Sequence, residues 1–327
     1  MSNIKEVAKA AGVSVTTVSR VINNRGYINK DTRQKVEAAM ASLDYHPNQI
    51  ARALQRSQSD LIGIIVPDSN HPFFAELIHY VETYANDLQY KILICNSLGN
   101  SEKEARYISM LRQNRVDGII MCGHSLNLEQ YKKVNLPIIS FDRIISSNIP
   151  YVGADNFLGG ELATEHLISR GCRKLLHISG PLKIDLLPNR RTDAFRLVCM
   201  KHDIPHRVIE GEPYKLTFEY YWDFVEREVS KHLPEYDGVF CSNDILAYAL
   251  YIYAVQHGIR VPEQLKIVGY DYHSFTRMLQ TPKLTTIRQP IERIGKALCS
   301  NLIQLIEGNT ELSNTVVDVE LVKGETT

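Results

Sequence analysis

The chain has 327 residues, of which 44% are apolar and 23% charged, with 37 basic and 37 acidic side chains in balance. At roughly 100–200 residues per domain this is an ordinary globular composition for two or three domains, and no apolar run approaches the ~18 residues of a membrane span. Six cysteines at 95, 122, 172, 199, 241 and 299 have neither CxxC nor CxxH spacing, so neither a disulfide framework nor a zinc site is indicated, and a reducing cytoplasm is the consistent reading.

The zero charge is unevenly placed. Residues 1–59 carry nine Lys/Arg and four Asp/Glu, a net +5, which leaves −5 on the remainder. A basic head on an acidic body suits a polyanion held at one end. No signal peptide precedes the first helical pattern. That pattern, over 4–11, has Ile4, Val7 and Ala8 on one face. A second, over 15–23, has Val18, Val21 and Ile22 on one face, and only Gly12-Val-Ser14 separates the two. Gly12 stands where the first helix must stop, with positive φ available. Ser14 stands where the second needs an oxygen for its unpaired amides. Such a pair predicts a helix-turn-helix, whose second helix enters the DNA major groove. Val15, Thr16, Ser19 and Arg20 fall on its exposed part. Arg20 can bond a guanine edge bidentately or, alternatively, a phosphate, while Val15 offers only apolar contact.

A third helix is expected over 30–43, with Asp31 or Thr32 as N-cap, before Asp44-Tyr-His-Pro47 breaks it. One more short helical stretch covers 48–55, and 57–60 is a polar linker. From Leu61 the pattern changes. Apolar runs at 61–66, 91–95, 118–122, 138–141, 175–178, 239–241 and 267–270 alternate with amphipathic stretches at 73–88, 102–114, 157–170, 245–257 and 291–306. Doubly buried strands alternating with helices mean parallel sheets of right-handed βαβ units, and about ten strands exceed one sheet. Ligands of such sheets bind beyond the strands' carboxyl ends. There the sequence places Pro67-Asp68, Asp142-Arg143, Ser242-Asn-Asp244 and Asp271.

The head resembles the LacI/GalR family of bacterial transcriptional regulators in Val7-Ala-Lys-Ala-Ala-Gly-Val-Ser14, Thr17-Val-Ser-Arg-Val-Ile-Asn23, Thr32-Arg-Gln-Lys-Val36, Tyr45-His-Pro-Asn48 and Ala51-Arg-Ala-Leu54. The body adds, in family order, Ile62-Gly-Ile-Ile-Val-Pro-Asp68, His71-Pro-Phe-Phe74, Asp117-Gly-Ile-Ile120, Cys241-Ser-Asn-Asp244, Val268-Gly-Tyr-Asp271 and Leu284-Thr-Thr-Ile287. Within the family, Asn23-Asn-Arg-Gly-Tyr-Ile28 and Ser140-Phe-Asp-Arg143 look similar to sucrose-operon repressors of Gram-positive bacteria.

The resemblance implies an all-α helix-turn-helix head at 1–46, a hinge helix and linker at 47–60, and an α/β core at 61–327. That core is of the two-lobed periplasmic-binding-protein type, one subdomain at about 61–158 plus 288–316 and the other at about 159–287 plus 317–327. It implies a cytoplasmic homodimer on pseudo-palindromic double-stranded operator DNA, repressing a sugar-utilisation operon and released by a small sugar such as sucrose, fructose or a phosphorylated sugar. Ser14, Tyr27, Asn29, Thr32 and Asn48 match positions that touch or flank phosphate, which fix register without reading sequence. Ile4, Asn23 and Ala51 complete the DNA-facing set, and Leu54 stands where the family wedges a leucine into the minor groove. For the effector, Asp142, Arg191, Asn243 and Asp271 match the polar positions and Phe73 and Phe74 the aromatic wall. Tyr214 or Phe218 closes the opposite side.

The alternatives are a regulator answering to a phosphorylated protein partner, one using its ligand as corepressor, and a sugar-binding protein without a DNA role. No cofactor or metal is expected. Nor is an enzyme: the chain has no GxGxxG after a strand, no GxxxxGK[ST], no GxSxG and no HExxH.

Overall fold

The computed structural model describes residues 3–46, 58–123, 125, 128–213, 215–278, 281–309 and 311–327, in two compact units, Met1–Ser59 and Asp60–Thr327. In the first unit α1 (Ile4–Ala11), α2 (Val15–Ile22) and α3 (Lys30–Ser42) enclose Val7, Ala8, Ala11, Val18, Val21, Val36 and Ala39, with Ile4, Ile22, Met40 and Leu43 against them. Burying a valine side chain stabilises by ~1.5–3 kcal/mol, and each helix cap adds about 1 kcal/mol to this small core.

Asn3 and Glu6 form a reciprocal capping box at the start of α1. Gly12 ends α1 at φ +66°, a left-handed conformation that a side chain would strain. The Ser14 hydroxyl accepts from the Thr17 amide at 3.1 Å and so starts α2. Here the expected cap of the third helix is corrected. Asn29, not Asp31 or Thr32, caps α3, its Oδ1 accepting from the Asp31 amide at 3.1 Å. Asn29 is the last residue with extended backbone, and Asp31 already lies inside the first turn. The expected helix at 48–55 lies outside the described residues.

The second unit holds twelve described strands rather than about ten. These are β1 (Leu61–Val66), β2 (Lys91–Asn96), β3 (Gly118–Met121), β4 (Ile138–Phe141), β5 (Tyr151–Ala154), β6 (Leu175–Ser179), β7 (His206–Glu210), β8 (Gly238–Cys241), β9 (Lys266–Asp271), β10 (Thr285–Arg288), β11 (Thr315–Val317) and β12 (Glu320–Val322). They form two six-stranded sheets, β11-β5-β4-β3-β1-β2 and β12-β10-β9-β8-β6-β7. The first is parallel throughout, with Ile64 of β1 beside Ile94 of β2 and Ile120 of β3. In the second, β12 departs from the expected parallel pattern and runs antiparallel to β10. Only Asp318 and Val319 separate β12 from β11 of the other sheet, which runs parallel to β5, so the chain enters the second sheet from the carboxyl-end side of its strands and runs back against β10.

Helices cover both faces of each sheet, which is why β1, β3, β4 and β8 are almost entirely buried and read as unbroken apolar runs. All six cysteines are free and buried, acting as small apolar side chains. Among the described residues no helix is long and apolar enough to cross a membrane. The chain passes between the sheets after β5, after β10 and after β11, so the strand ends of both can supply one cleft.

Candidate DNA-recognition and effector sites

On α2, Thr16 and Arg20 are exposed and Val15 is 40% exposed, while Val18 and Val21 are buried; the helix shows solvent a short polar stripe with an arginine at its end. Ser19 is half-buried. Several of the other candidate side chains have internal partners. Asn23 donates to the Ser19 carbonyl at 2.9 Å, so its amide is turned onto its own helix. Ser14 and Asn29 act as helix caps, Thr32 is half-buried, and Ile4 packs against the head core. Tyr27 is 97% exposed and reaches into solvent from the loop before α3. Asn48, Ala51 and Leu54 lie outside the described residues.

In the second unit, Phe73, Phe74, Asp142, Arg191, Asn243 and Asp271 all line one open cleft. Asp142 follows β4, Asn243 follows β8 and Asp271 ends β9, so the polar groups stand at the carboxyl ends of strands from both sheets. Phe73 stacks on Phe141 at 5.5 Å and meets Phe74 edge-on at 5.3 Å, giving the cleft a rigid aromatic wall. Both aspartates sit in left-handed backbone, Asp142 at φ +52° and Asp271 at φ +102°. A non-glycine residue held there carries strain of ~1–3 kcal/mol and marks a place where the fold fixes a side chain's direction.

Arg191 links the two halves. Its Nε donates to Asn156 Oδ1 at 2.7 Å, its Nη1 donates to the Ser242 carbonyl at 2.8 Å, and its guanidinium lies 3.5 Å over the Tyr270 ring. Asn156 relays this to the first sheet, donating to the Ala154 carbonyl at 3.1 Å and to Asp142 Oδ1 at 3.4 Å. Gly160 allows the approach: a Cβ there would stand 2.5 Å from the Arg191 carbonyl oxygen. The neighbouring Arg190 is exposed and pairs with Asp193 at 3.8 Å, so of the adjacent arginines Arg191 is the one in the cleft.

The charges in the cleft are set by burial. Loss of water pushes the Asp142 carboxyl up to about 7, partly offset by Arg191. Burial also acts to raise Asp271, but His273 at 3.1 Å, Arg191 and His71 outweigh it and hold this carboxyl below its ordinary value. Two carboxyls in one cleft are thus driven in opposite directions.

Sequence reasoning missed several lining residues. His177 is buried, and burial lowers its pKa to about 3, so the neutral ring donates from Nδ1 to the Phe240 carbonyl and accepts at Nε2 from Thr192. Tyr221 accepts from Asn243 Nδ2 at 2.9 Å, and Gln289 donates to Asp271 at 2.6 Å. His71 is buried and lowered to about 4, by loss of water and then by His273. The residue before a proline in a strand-to-helix loop was the available signal for His71; for His177, mid-strand in an apolar run, there was none. Phe218 lines a neighbouring cavity rather than the cleft. Tyr214 lies outside the described residues.

Residues 3–48 match the model of bacterial regulatory proteins of the lacI family, and residues 164–327 that of periplasmic binding protein-like domains. The sucrose operon repressor of Pediococcus pentosaceus is 41% identical over 99% of this chain and 98% of its own length. That of Streptococcus mutans is 40% identical over 99% of both. Among solved structures, the lac repressor dimer bound to operator and an anti-inducer covers 100% of this chain and 99% of its own at 26% identity, TM-score 0.87. A regulator from Alkaliphilus metalliredigens complexed with D-xylulofuranose covers 82% of this chain and 99% of its own at 30% identity, TM-score 0.73. The chain belongs to the lacI family of bacterial regulatory proteins.

Proposed function

We propose that this chain is a dimeric, cytoplasmic, sequence-specific repressor of a sugar-utilisation operon, and that a small sugar in the cleft, sucrose first among candidates, releases it from its operator. The observation that carries the reading is the junction at Arg191, where one guanidinium holds groups at the strand ends of both sheets and faces the cleft. Carboxylates, amides and an arginine bond adjacent hydroxyls, and the Phe73–Phe74 wall packs against the C–H face of a ring. In this reading Asp142 and Asp271 hydrogen-bond the sugar's hydroxyls rather than drive chemistry, and the similarity to operon repressors supports a binder rather than an enzyme.

At the other end, the basic head supplies salt-sensitive attraction to phosphate, Val15, Thr16, Ser19 and Arg20 read the groove, and Ser14, Tyr27, Asn29 and Thr32 fix register. Leu54 with Asn48 and Ala51 makes the grip conditional on the dimer. The sugar releases DNA only to the extent that it binds the DNA-free arrangement more tightly. Titration calorimetry with sucrose, fructose and their phosphates, with and without an operator selected from a randomised duplex pool, tests this. A sugar that binds more tightly without operator supports it. Equal affinity in both, or no sugar binding at all, refutes it.

A further inference from the structure

Beside the cleft lies a second, open cavity, and the two share His71 and Leu216. The outer cavity has aromatic surface from Phe218, Tyr248 and Phe275 and carboxylates from Asp68 and Glu219; its lining contains neither lysine nor arginine among the described residues. His71 stands between them. It is 6% exposed, its ring lies 5.8 Å from Phe74 and 5.4 Å from His273, and neither of its nitrogens has a hydrogen-bond partner among the described residues. A buried imidazole left in that state is costly unless a ligand completes it. Gln289 repeats the pattern inside the cleft, its Nε2 held by Asp271 and its Oε1 buried without a partner among the described residues.

We infer that the outer cavity is a second sugar subsite, so that the effector is a neutral disaccharide spanning His71. One ring lies among Asp142, Arg191, Asn243 and Asp271, and the other lies against Phe218, Tyr248 and Phe275. This rests on the reading of the cleft as a sugar site. The neutral imidazole has one donor and one acceptor, which suits hydroxyls on the two linked rings. Aromatic faces suit the C–H patches of the outer ring, and Asp68 and Glu219 suit its hydroxyls. With carboxylates and no cation around it, that subsite disfavours a phosphorylated ring.

The test is calorimetry on the full chain with sucrose, glucose, fructose and sucrose phosphate, for the wild type, Phe218→Ala, Glu219→Gln and His71→Asn. Phe218 and Glu219 are exposed, so their replacement leaves folding intact. The wild type is expected to bind sucrose at least about 10-fold more tightly than either monosaccharide or the phosphate. Phe218→Ala and Glu219→Gln are expected to weaken sucrose by about 5-fold or more, leaving the better-bound monosaccharide unchanged. His71→Asn weakens sucrose most. A monosaccharide that matches sucrose, or a sucrose affinity indifferent to Phe218 and Glu219, overturns the second subsite while leaving the cleft a sugar site. If none of the four sugars binds, the cleft reading falls, and this inference with it.

Discussion

Replacing Asp142 by asparagine changes how stability depends on pH, and the structure gives the sign. Burial holds the folded carboxyl at about 7, against 3.8 for the free group. Below the lower value both folded and unfolded chains are protonated there and nothing is lost. Between the two values the unfolded chain ionises and the folded one does not, so the stability from this group falls as pH rises. Above the folded value the loss is complete. Each pH unit in that window costs about 1.36 kcal/mol, so from pH 5 to pH 7 the loss is about 2.7 kcal/mol, and water reaching the cleft reduces it. Asparagine keeps an oxygen for Asn156 and cannot ionise. Asp244, also raised to about 7 by burial, remains in both proteins and cancels. Urea unfolding of wild type and Asp142→Asn, run near pH 5 and near pH 8, should show the variant gaining about 1.5–3 kcal/mol on the wild type over that interval. A difference that does not change with pH, or one that shrinks as pH rises, would refute the burial argument.

Three other outcomes are expected. Arg20→Ala should lose about 1–3 kcal/mol of discrimination between the selected operator and point-mutated copies, read by competition binding; a uniform loss on all duplexes would mean a phosphate contact instead. Leu54→Ala should weaken the operator at least about 10-fold and leave calorimetric sugar binding as it was; an unchanged operator affinity would remove the wedge. Gly160→Ala places a Cβ 2.5 Å from the Arg191 carbonyl and 2.9 Å from Ala194 Cβ. That overpacking should cost about 1–3 kcal/mol in urea unfolding and weaken sugar binding through a displaced Arg191, and a silent substitution would show that the contact yields freely.

What was legible in the sequence follows from how local each signal is. The helix-turn-helix is written in adjacent residues, since Gly12 and Ser14 do their work within one turn of where they stand. Strands buried on both faces announce themselves as apolar runs. By contrast β7, with His206, Arg207 and Glu210 at the sheet edge, carries no such run, and β11 and β12 are three residues each. Asp142, Asn243 and Asp271 could be placed because a parallel sheet delivers its strand ends to one side. His177 and Gln289 could not, because their roles depend on which distant backbone carbonyl, hydroxyl or carboxylate the fold brings beside them. Nor does any local pattern show that Arg191 touches Asn156 and Ser242, which are 35 and 51 residues away along the chain.

The central claim is that a sugar held at the Arg191 junction controls the grip on DNA. Its most direct test is fluorescence anisotropy of a labelled operator, titrated with sucrose, for the wild type and Arg191→Met. The account predicts that sucrose raises the wild-type operator Kd by at least about 10-fold, a coupling of about 1.4 kcal/mol, while the variant still binds operator and no longer responds. A wild-type operator affinity unmoved by sucrose, or a variant released as readily as the wild type, would contradict it.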